Sequence, residues 1–209
     1  MARRYKNNPL VIGMDLRNEI RKANGLTPTW GDEDPKTDWH MAAQKIGREL
    51  QDIAPDWLII VGGLFYQMDL TGVYKHPISL KIPNKLVYTG HIYSFSWPAW
   101  YIGLWKVSSY GSFWEKMFNE QLYVRNLDVP FIFGEFGNNC QDTYWEYLMK
   151  LLKDTDVDWT YWCLDGYKCK DQEDETYGLL TKDFMKWRYP DMIGQLKESA
   201  RPRLKTRRG

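Results

Sequence analysis

Leu10-Val11-Ile12-Gly13-Met14-Asp15-Leu16 runs directly into Arg17-Asn18-Glu19. The first seven residues are almost continuously apolar, without the alternation of a half-exposed strand, and so read as a buried β-strand. The next three form a polar cluster at the C-terminal end of that strand. Outward along the chain the same pattern returns. Trp57-Leu58-Ile59-Ile60-Val61 is closed by Gly62-Gly63, and Leu86-Val87-Tyr88-Thr89-Gly90-His91-Ile92-Tyr93 ends with a histidine and a tyrosine. Pro130-Phe131-Ile132-Phe133-Gly134-Glu135 ends in a carboxylate, and Trp159-Thr160-Tyr161-Trp162-Cys163-Leu164 leads to Asp165.

Stretches of helical period lie between these runs. Residues 36–53 place Trp39, Ala43, Ile46 and Leu50 at spacings of three and four, and Pro55 stops the helix. Further helices are predicted over residues 113–124, 145–152 and about 183–198. Apolar strands that alternate with helices indicate an α/β fold, a parallel sheet covered by helices. In such folds ligands bind at the C-terminal ends of the strands, where the polar clusters of this chain fall. A doubly wound sheet is the competing architecture. It usually carries a glycine-rich phosphate loop after its first strand, and none follows Leu16.

Composition narrows the function classes. The 209 residues carry a net charge of +1, which offers no field to attract nucleic acid. Hydrophobic residues at 44% and charged residues at 26% suit a globular domain, here expected to span residues 1–200. The basic stretch at 201–209 reads as a disordered tail. No apolar run of about 20 residues predicts a membrane span, and the first residues hold no export signal. Cys140, Cys163 and Cys169 show no zinc-type spacing with histidine, so neither a metal nor a cofactor is expected. Whether Cys163 and Cys169 pair stays open. The 11 Trp and 14 Tyr suit both a core and stacking against sugar faces.

Glu19 and Glu135 are the candidate reactive pair. Two carboxylates on one rim can hydrolyse a glycosidic bond, one protonating the leaving oxygen and the other attacking the anomeric carbon. The residues around them sharpen this. Asp15-Leu16-Arg17-Asn18-Glu19 resembles the Asn-Glu motif of glycoside hydrolase family 5, the cellulase family, and Phe133-Gly134-Glu135-Phe136-Gly137 resembles its nucleophile motif. His91-Ile92-Tyr93 resembles the family's His-x-Tyr, and Trp159-Thr160-Tyr161-Trp162 its eighth-strand segment. The stretch from Ala54 to Gly63 fits its fifth strand. The resemblance implies that Glu19 is the acid/base and Glu135 the nucleophile. It also implies that Asn18 binds the sugar 2-hydroxyl and that Trp162 floors the subsite of the reacting sugar. Tyr93 is expected to donate a hydrogen bond to the Glu135 carboxylate, and His91 to orient a carboxylate or a sugar hydroxyl. Where many members have proline after the acid/base, this chain has Ile20.

The implied fold is a partial TIM (β/α)8 barrel, with strands four to eight present and strands one to three missing. In the family the missing strands supply an Arg near the nucleophile and a His near the acid/base. The first and last strands here would then be open edges, inviting self-association. The expected function is that of a retaining, cellulase-like glycoside hydrolase in truncated form, acting on a polysaccharide or oligosaccharide. The alternative is a non-catalytic carbohydrate-binding remnant or an inactive fragment of such an enzyme. Trp97, Trp100, Tyr101, Trp105 and Tyr110 are candidates for a glycan-stacking loop. A full-length parent is expected to be secreted.

Overall fold

The computed structural model describes residues 1–94, 121–170 and 172–200. The candidate stacking loop, most of the helix predicted over 113–124, and the basic tail lie outside these residues. The described chain divides into two units.

The first unit holds a sheet of five strands in the order β1-β2-β3-β4-β5. They are β1 (Gly13–Asp15), β2 (Leu58–Gly62), β3 (Leu86–Tyr93), β4 (Phe131–Gly137) and β5 (Asp158–Trp159). β1 pairs with β2 in parallel, with Met14 opposite Ile59. β2 pairs with β3 in parallel, with Val61 opposite Tyr88, and β4 pairs with β5 in parallel, with Phe133 opposite Trp159. The predicted α/β class with a parallel sheet is therefore present, and it is consistent with part of a barrel. The last residues of β3 and β4 continue into the second unit.

Two predicted strands differ from their expectation. The first is not a buried strand over Leu10–Leu16. Only Gly13–Asp15 pair, and Leu10 and Ile12 are 86% and 71% exposed. The reason is position: among the described residues β1 has a neighbour on one side only, so nothing covers its outer apolar residues. The last strand is two residues long instead of the run from Trp159 to Leu164. Beyond it the regular pairing ends, although Thr160 N and Trp162 N still donate to carbonyls of β4, and the Trp162–Cys163 peptide is cis.

A short helix, α1 (Ala2–Tyr5), precedes the sheet. The helix predicted over 36–53 begins later, as α2 (Trp39–Ile53). Asp38 sets the start, because its carboxylate accepts a hydrogen bond from Met41 N at 3.2 Å. The same carboxylate accepts from Gly31 N and Glu33 N, which ties the preceding loop to the helix. Trp39, Ala43, Gly47 and Leu50 form the buried face, as the spacing predicts, although Ile46 is exposed. At Gly47 an added Cβ would sit 2.8 Å from Leu80 Cδ2 and 3.1 Å from Ile59 Cγ2, so glycine permits close packing.

The second unit holds α3 (Thr143–Thr155), α4 (Pro190–Ser199) and a small antiparallel pair, β6 (Tyr167–Lys168) with β7 (Glu173–Asp174). α3 starts at Asp142, which caps Trp145 N at 3.0 Å, and it buries Tyr144, Trp145, Leu148, Met149 and Leu152. The helix predicted to begin near residue 183 starts instead at Pro190, where the fixed φ of proline suits the first helical position. Thr181 and Asp183 hold residues 181–186 in a turn ahead of it. Phe136, Trp145 and Tyr161 pack as an aromatic cluster, with Phe136 and Tyr161 edge to face at 5.5 Å. All three cysteines are free thiols.

Candidate active site

Glu19 follows β1 and is held in an unusual backbone state, with φ of 49°. A non-glycine residue in the left-handed region costs about 1–3 kcal/mol and persists where its surroundings over-determine it. Those surroundings come from the turn after β2. Gln67 Oε1 accepts a hydrogen bond from Glu19 N at 2.6 Å, and Tyr66 N donates to Ile20 O at 2.9 Å. Leu64–Gln67 forms one tight turn that is not a right-handed helix, since Phe65, Tyr66 and Gln67 all have positive φ. Reciprocal hydrogen bonds between Leu64 and Asp69 close the turn. The preceding Gly62-Gly63 pair has a steric purpose. A Cβ on Gly62 would collide with the side chain of Gln67, and one on Gly63 with the carbonyl of Asp69.

His91 lies near the end of β3 and is buried, its side chain only 3% exposed. Its Nδ1 stands 3.3 Å from Glu19 Oε1 and 3.5 Å from Glu135 Oε2. The imidazole thus bridges the two carboxylates. Gln121 Nε2 donates to His91 O at 3.2 Å and fixes its backbone. Glu135 is the fifth residue of β4. Thr160, just past β5, secures the strand beside it, donating from N to Phe133 O and from Oγ1 to Gly134 O.

One carboxylate oxygen of Glu19, one of Glu135 and a ring nitrogen of His91 all lie within 4.8 Å of one another. Side chains of Glu19 and Glu135 keep 24% and 21% of their exposure, so both are open to a ligand while partly shielded. The three groups could also share a divalent ion, against the expectation that no metal binds, though carboxylates commonly gather without one. Arg21 sits at 3.5 Å from Glu19 Oε2 and lies over the ring of Tyr66. The Arg21 side chain is about half exposed, which limits the pair to about 1 kcal/mol or less.

Of the residues expected from sequence, Glu19, His91 and Glu135 are brought together. Asn18 is exposed, and its carbonyl accepts from Arg17 at 2.9 Å. Tyr93 belongs to the second unit, where it is buried and meets Tyr177 edge to face at 6.1 Å. Trp162, also in that unit, is 49% exposed, and its N donates to Phe136 O at 2.8 Å. Gln67, Tyr66 and Arg21 were not anticipated. The Gly62-Gly63 doublet was the one local sign of a tight turn.

An apolar cavity of about 610 Å³ lies elsewhere in the first unit. It is lined by the starts of the strands, among them Leu58, Leu86, Phe131 and Asp158, together with Ile12. The carboxylates sit toward the other ends of the strands, so the cavity is not the reactive site.

Comparison with known proteins finds a matching family and several relatives. The family model described as cellulase (glycosyl hydrolase family 5) matches residues 1–168. An endoglucanase of Paenibacillus polymyxa is 32% identical over 94% of this chain and 52% of its own length. The major extracellular endoglucanase of Xanthomonas campestris pv. campestris is 26% identical over 92% of this chain and 41% of its own. Among solved structures, a cellotetraose complex of an endocellulase from Pyrococcus horikoshii superposes with a TM-score of 0.79 at 25% identity, covering 95% of this chain and 60% of that one. The chain therefore spans about half the length of the curated relatives it matches, or less.

Proposed function

The chain belongs to the cellulase family, glycosyl hydrolase family 5, and from that premise we propose that it carries the catalytic carboxylates of a retaining β-glucan hydrolase. One observation carries the proposal: the Glu19 and Glu135 oxygens approach within 4.8 Å. Retaining enzymes place their carboxyl groups about 5–5.5 Å apart, whereas inverting enzymes leave about 6.5–9.5 Å for a water. An approach this close favours the retaining arrangement over the inverting one.

In this reading Glu135 attacks the anomeric carbon and forms a glycosyl ester while Glu19 protonates the departing oxygen. Glu19 then takes a proton from water, which hydrolyses the ester and restores both groups. His91 between them can hydrogen-bond to either carboxylate as their charges exchange. Asn18, Tyr93 and Trp162 keep the roles that the family resemblance implies. The substrate class is β-1,4-glucan or its oligosaccharides. The endoglucanase relatives and the cellotetraose-bound neighbour support that choice.

The finer architecture belongs to the same proposal. β1 to β5 correspond to strands four to eight of a (β/α)8 barrel, residues 1–200 form part of the catalytic domain, and the full-length parent is secreted. The apolar cavity supports this, because a complete barrel fills its interior with layers of side chains. The exposed edge residues Leu10 and Ile12 offer the surface for self-association or for completion by further strands.

The test is release of reducing ends from soluble β-1,4-glucan, with Glu135→Gln as control, and trapping with a 2-deoxy-2-fluoro cellobioside. The expected results are activity that the control lacks and a covalent adduct on Glu135. Product of inverted configuration, or equal turnover by the control, overturns the proposal.

A further inference from the structure

We infer that Gln67 is the positioning residue for Glu19: it sets the backbone of the acid/base, and the left-handed turn at 65–67 exists to deliver it. The inference rests on the hydrolase reading above.

Gln67 is fully buried, with no exposed surface. A buried primary amide must have its hydrogen bonds met, and both ends of this one point toward the β1 loop. Oε1 accepts from Glu19 N at 2.6 Å, and Nε2 donates to Asp15 Oδ2 at 3.3 Å. One side chain thus ties the end of β1 to the residue four positions later. Arg17 N also donates to Asp15 Oδ1, so the loop is fastened at both its start and its end.

The cost of placing Gln67 shows that the placement is specific. Phe65, Tyr66 and Gln67 have φ of 48°, 59° and 62°, each unfavourable for a side chain. Phe65 and Tyr66 keep 47% and 42% of their exposure, so full burial of their rings does not explain the turn. What the turn achieves is the insertion of Gln67 over Gly62, where any side chain at position 62 would block it. Glutamine has the reach and the donor–acceptor pair for both contacts. Glutamate at position 67 would set a carboxylate against Asp15, and leucine would leave Glu19 N unpaired.

The chemical consequence is selective. A general acid matters in proportion to how poor the leaving group is, so its misplacement harms poor leaving groups and spares good ones. Gln67→Met keeps the volume and removes both hydrogen bonds. Compared with wild type, it is expected to lose about 10- to 100-fold in kcat/KM on phenyl β-cellobioside. On 2,4-dinitrophenyl β-cellobioside, which departs without protonation, it should stay within about threefold. Equal losses on both substrates would mark a general structural defect and overturn the inference, and so would no loss on either.

A second measurement stands apart from activity and from the folding of the variant. In the wild-type chain, hydrogen exchange of the Glu19 amide should be slowed at least about tenfold relative to the exposed Asn18 amide. Equal exchange at the two amides would overturn the inference. A wild-type chain that cleaves neither glycoside refutes the hydrolase reading itself. The protected Glu19 amide would then show that the clamp survives while its catalytic meaning does not.

Discussion

Replacing Gly134 by alanine tests whether β3 and β4 pack as closely beside the site as the structure shows. Gly134 immediately precedes Glu135. A Cβ there would fall about 1 Å inside ordinary contact with Thr89 Oγ1 and would reach 3.4 Å from His91 Nε2. Thr89 is buried at 1% exposure on a strand with neighbours on both sides, so the clash is not relieved by moving into solvent. Overpacking of this kind costs about 1–3 kcal/mol. Thr89 has a second property that makes the test specific: its hydroxyl is buried with no hydrogen-bond partner among the described residues. Thr89→Ala removes that unsatisfied oxygen, a gain of about 1–2 kcal/mol, and one methyl, a loss of about 0.8 kcal/mol. It also vacates the space that the new Cβ needs. Urea unfolding of wild type, Gly134→Ala, Thr89→Ala and the double variant forms a cycle. The expectation is that Gly134→Ala loses about 1–3 kcal/mol, Thr89→Ala is near neutral, and the double variant returns to within about 1 kcal/mol of wild type. A double variant as unstable as Gly134→Ala alone would refute the packing argument, because the clash would then lie elsewhere.

Asp38→Ala removes the cap of α2 and two loop hydrogen bonds together, and a loss of about 2–4 kcal/mol is expected in the same unfolding assay. Burial pushes the Asp38 carboxyl up, but hydrogen bonds from Gly31, Glu33 and Met41 outweigh it and hold the group below its ordinary value. Its contribution is therefore complete above the unfolded value near about 4 and fades as pH falls through the lower folded value. The wild-type advantage over Asp38→Ala should shrink at acid pH, and a gap that widens there would contradict the assignment. Cys163 makes a chemical prediction. Burial, with the nearby charges of Glu175 and Asp165, pushes its thiol up to about 11. Peptide mapping after iodoacetamide treatment at pH 8 should show Cys163 alkylated more slowly than the exposed Cys169, and equal rates would count against that environment.

The sheet was legible because a buried parallel strand is written in consecutive residues. β3 occupies Leu86–Tyr93 as the apolar run predicts, and His91 and Glu135 fall two residues before the ends of their strands. Ends and edges were not legible. Leu10 and Ile12 read as core because an apolar run carries no information on how many neighbours its strand will have. The helix predicted from residue 36 begins at Trp39, since the three amides gathered by Asp38 decide the start and two of them come from the preceding loop. The stretch predicted as strand from Trp159 pairs only as far as that residue. Beyond it Tyr161 turns its hydroxyl to the carbonyls of Asn138 and Tyr177, contacts that strand periodicity does not encode.

Least legible of all was what holds the acid/base. Glu135 is placed by its strand, between β3 on one side and β5 on the other. Glu19 has no such frame. It follows a three-residue strand at the edge of the described sheet, in a backbone state that strands do not use. Two carboxylates can cooperate only if their separation is kept within a fraction of an ångström, so the looser one needs a second anchor. The turn after β2 supplies it with Tyr66 N on Ile20 O and Gln67 on Glu19 N, while His91 holds both carboxylates from the third side. That explains why strain collects at Glu19 and at 65–67 together. Each segment alone would relax toward ordinary backbone angles, and their mutual hydrogen bonds, with the Leu64–Asp69 pair that closes the turn, keep both from doing so. It follows that loosening either segment should release the other, and that the Glu19 side of the site, rather than the Glu135 side, is where substitutions away from the carboxylates will be felt.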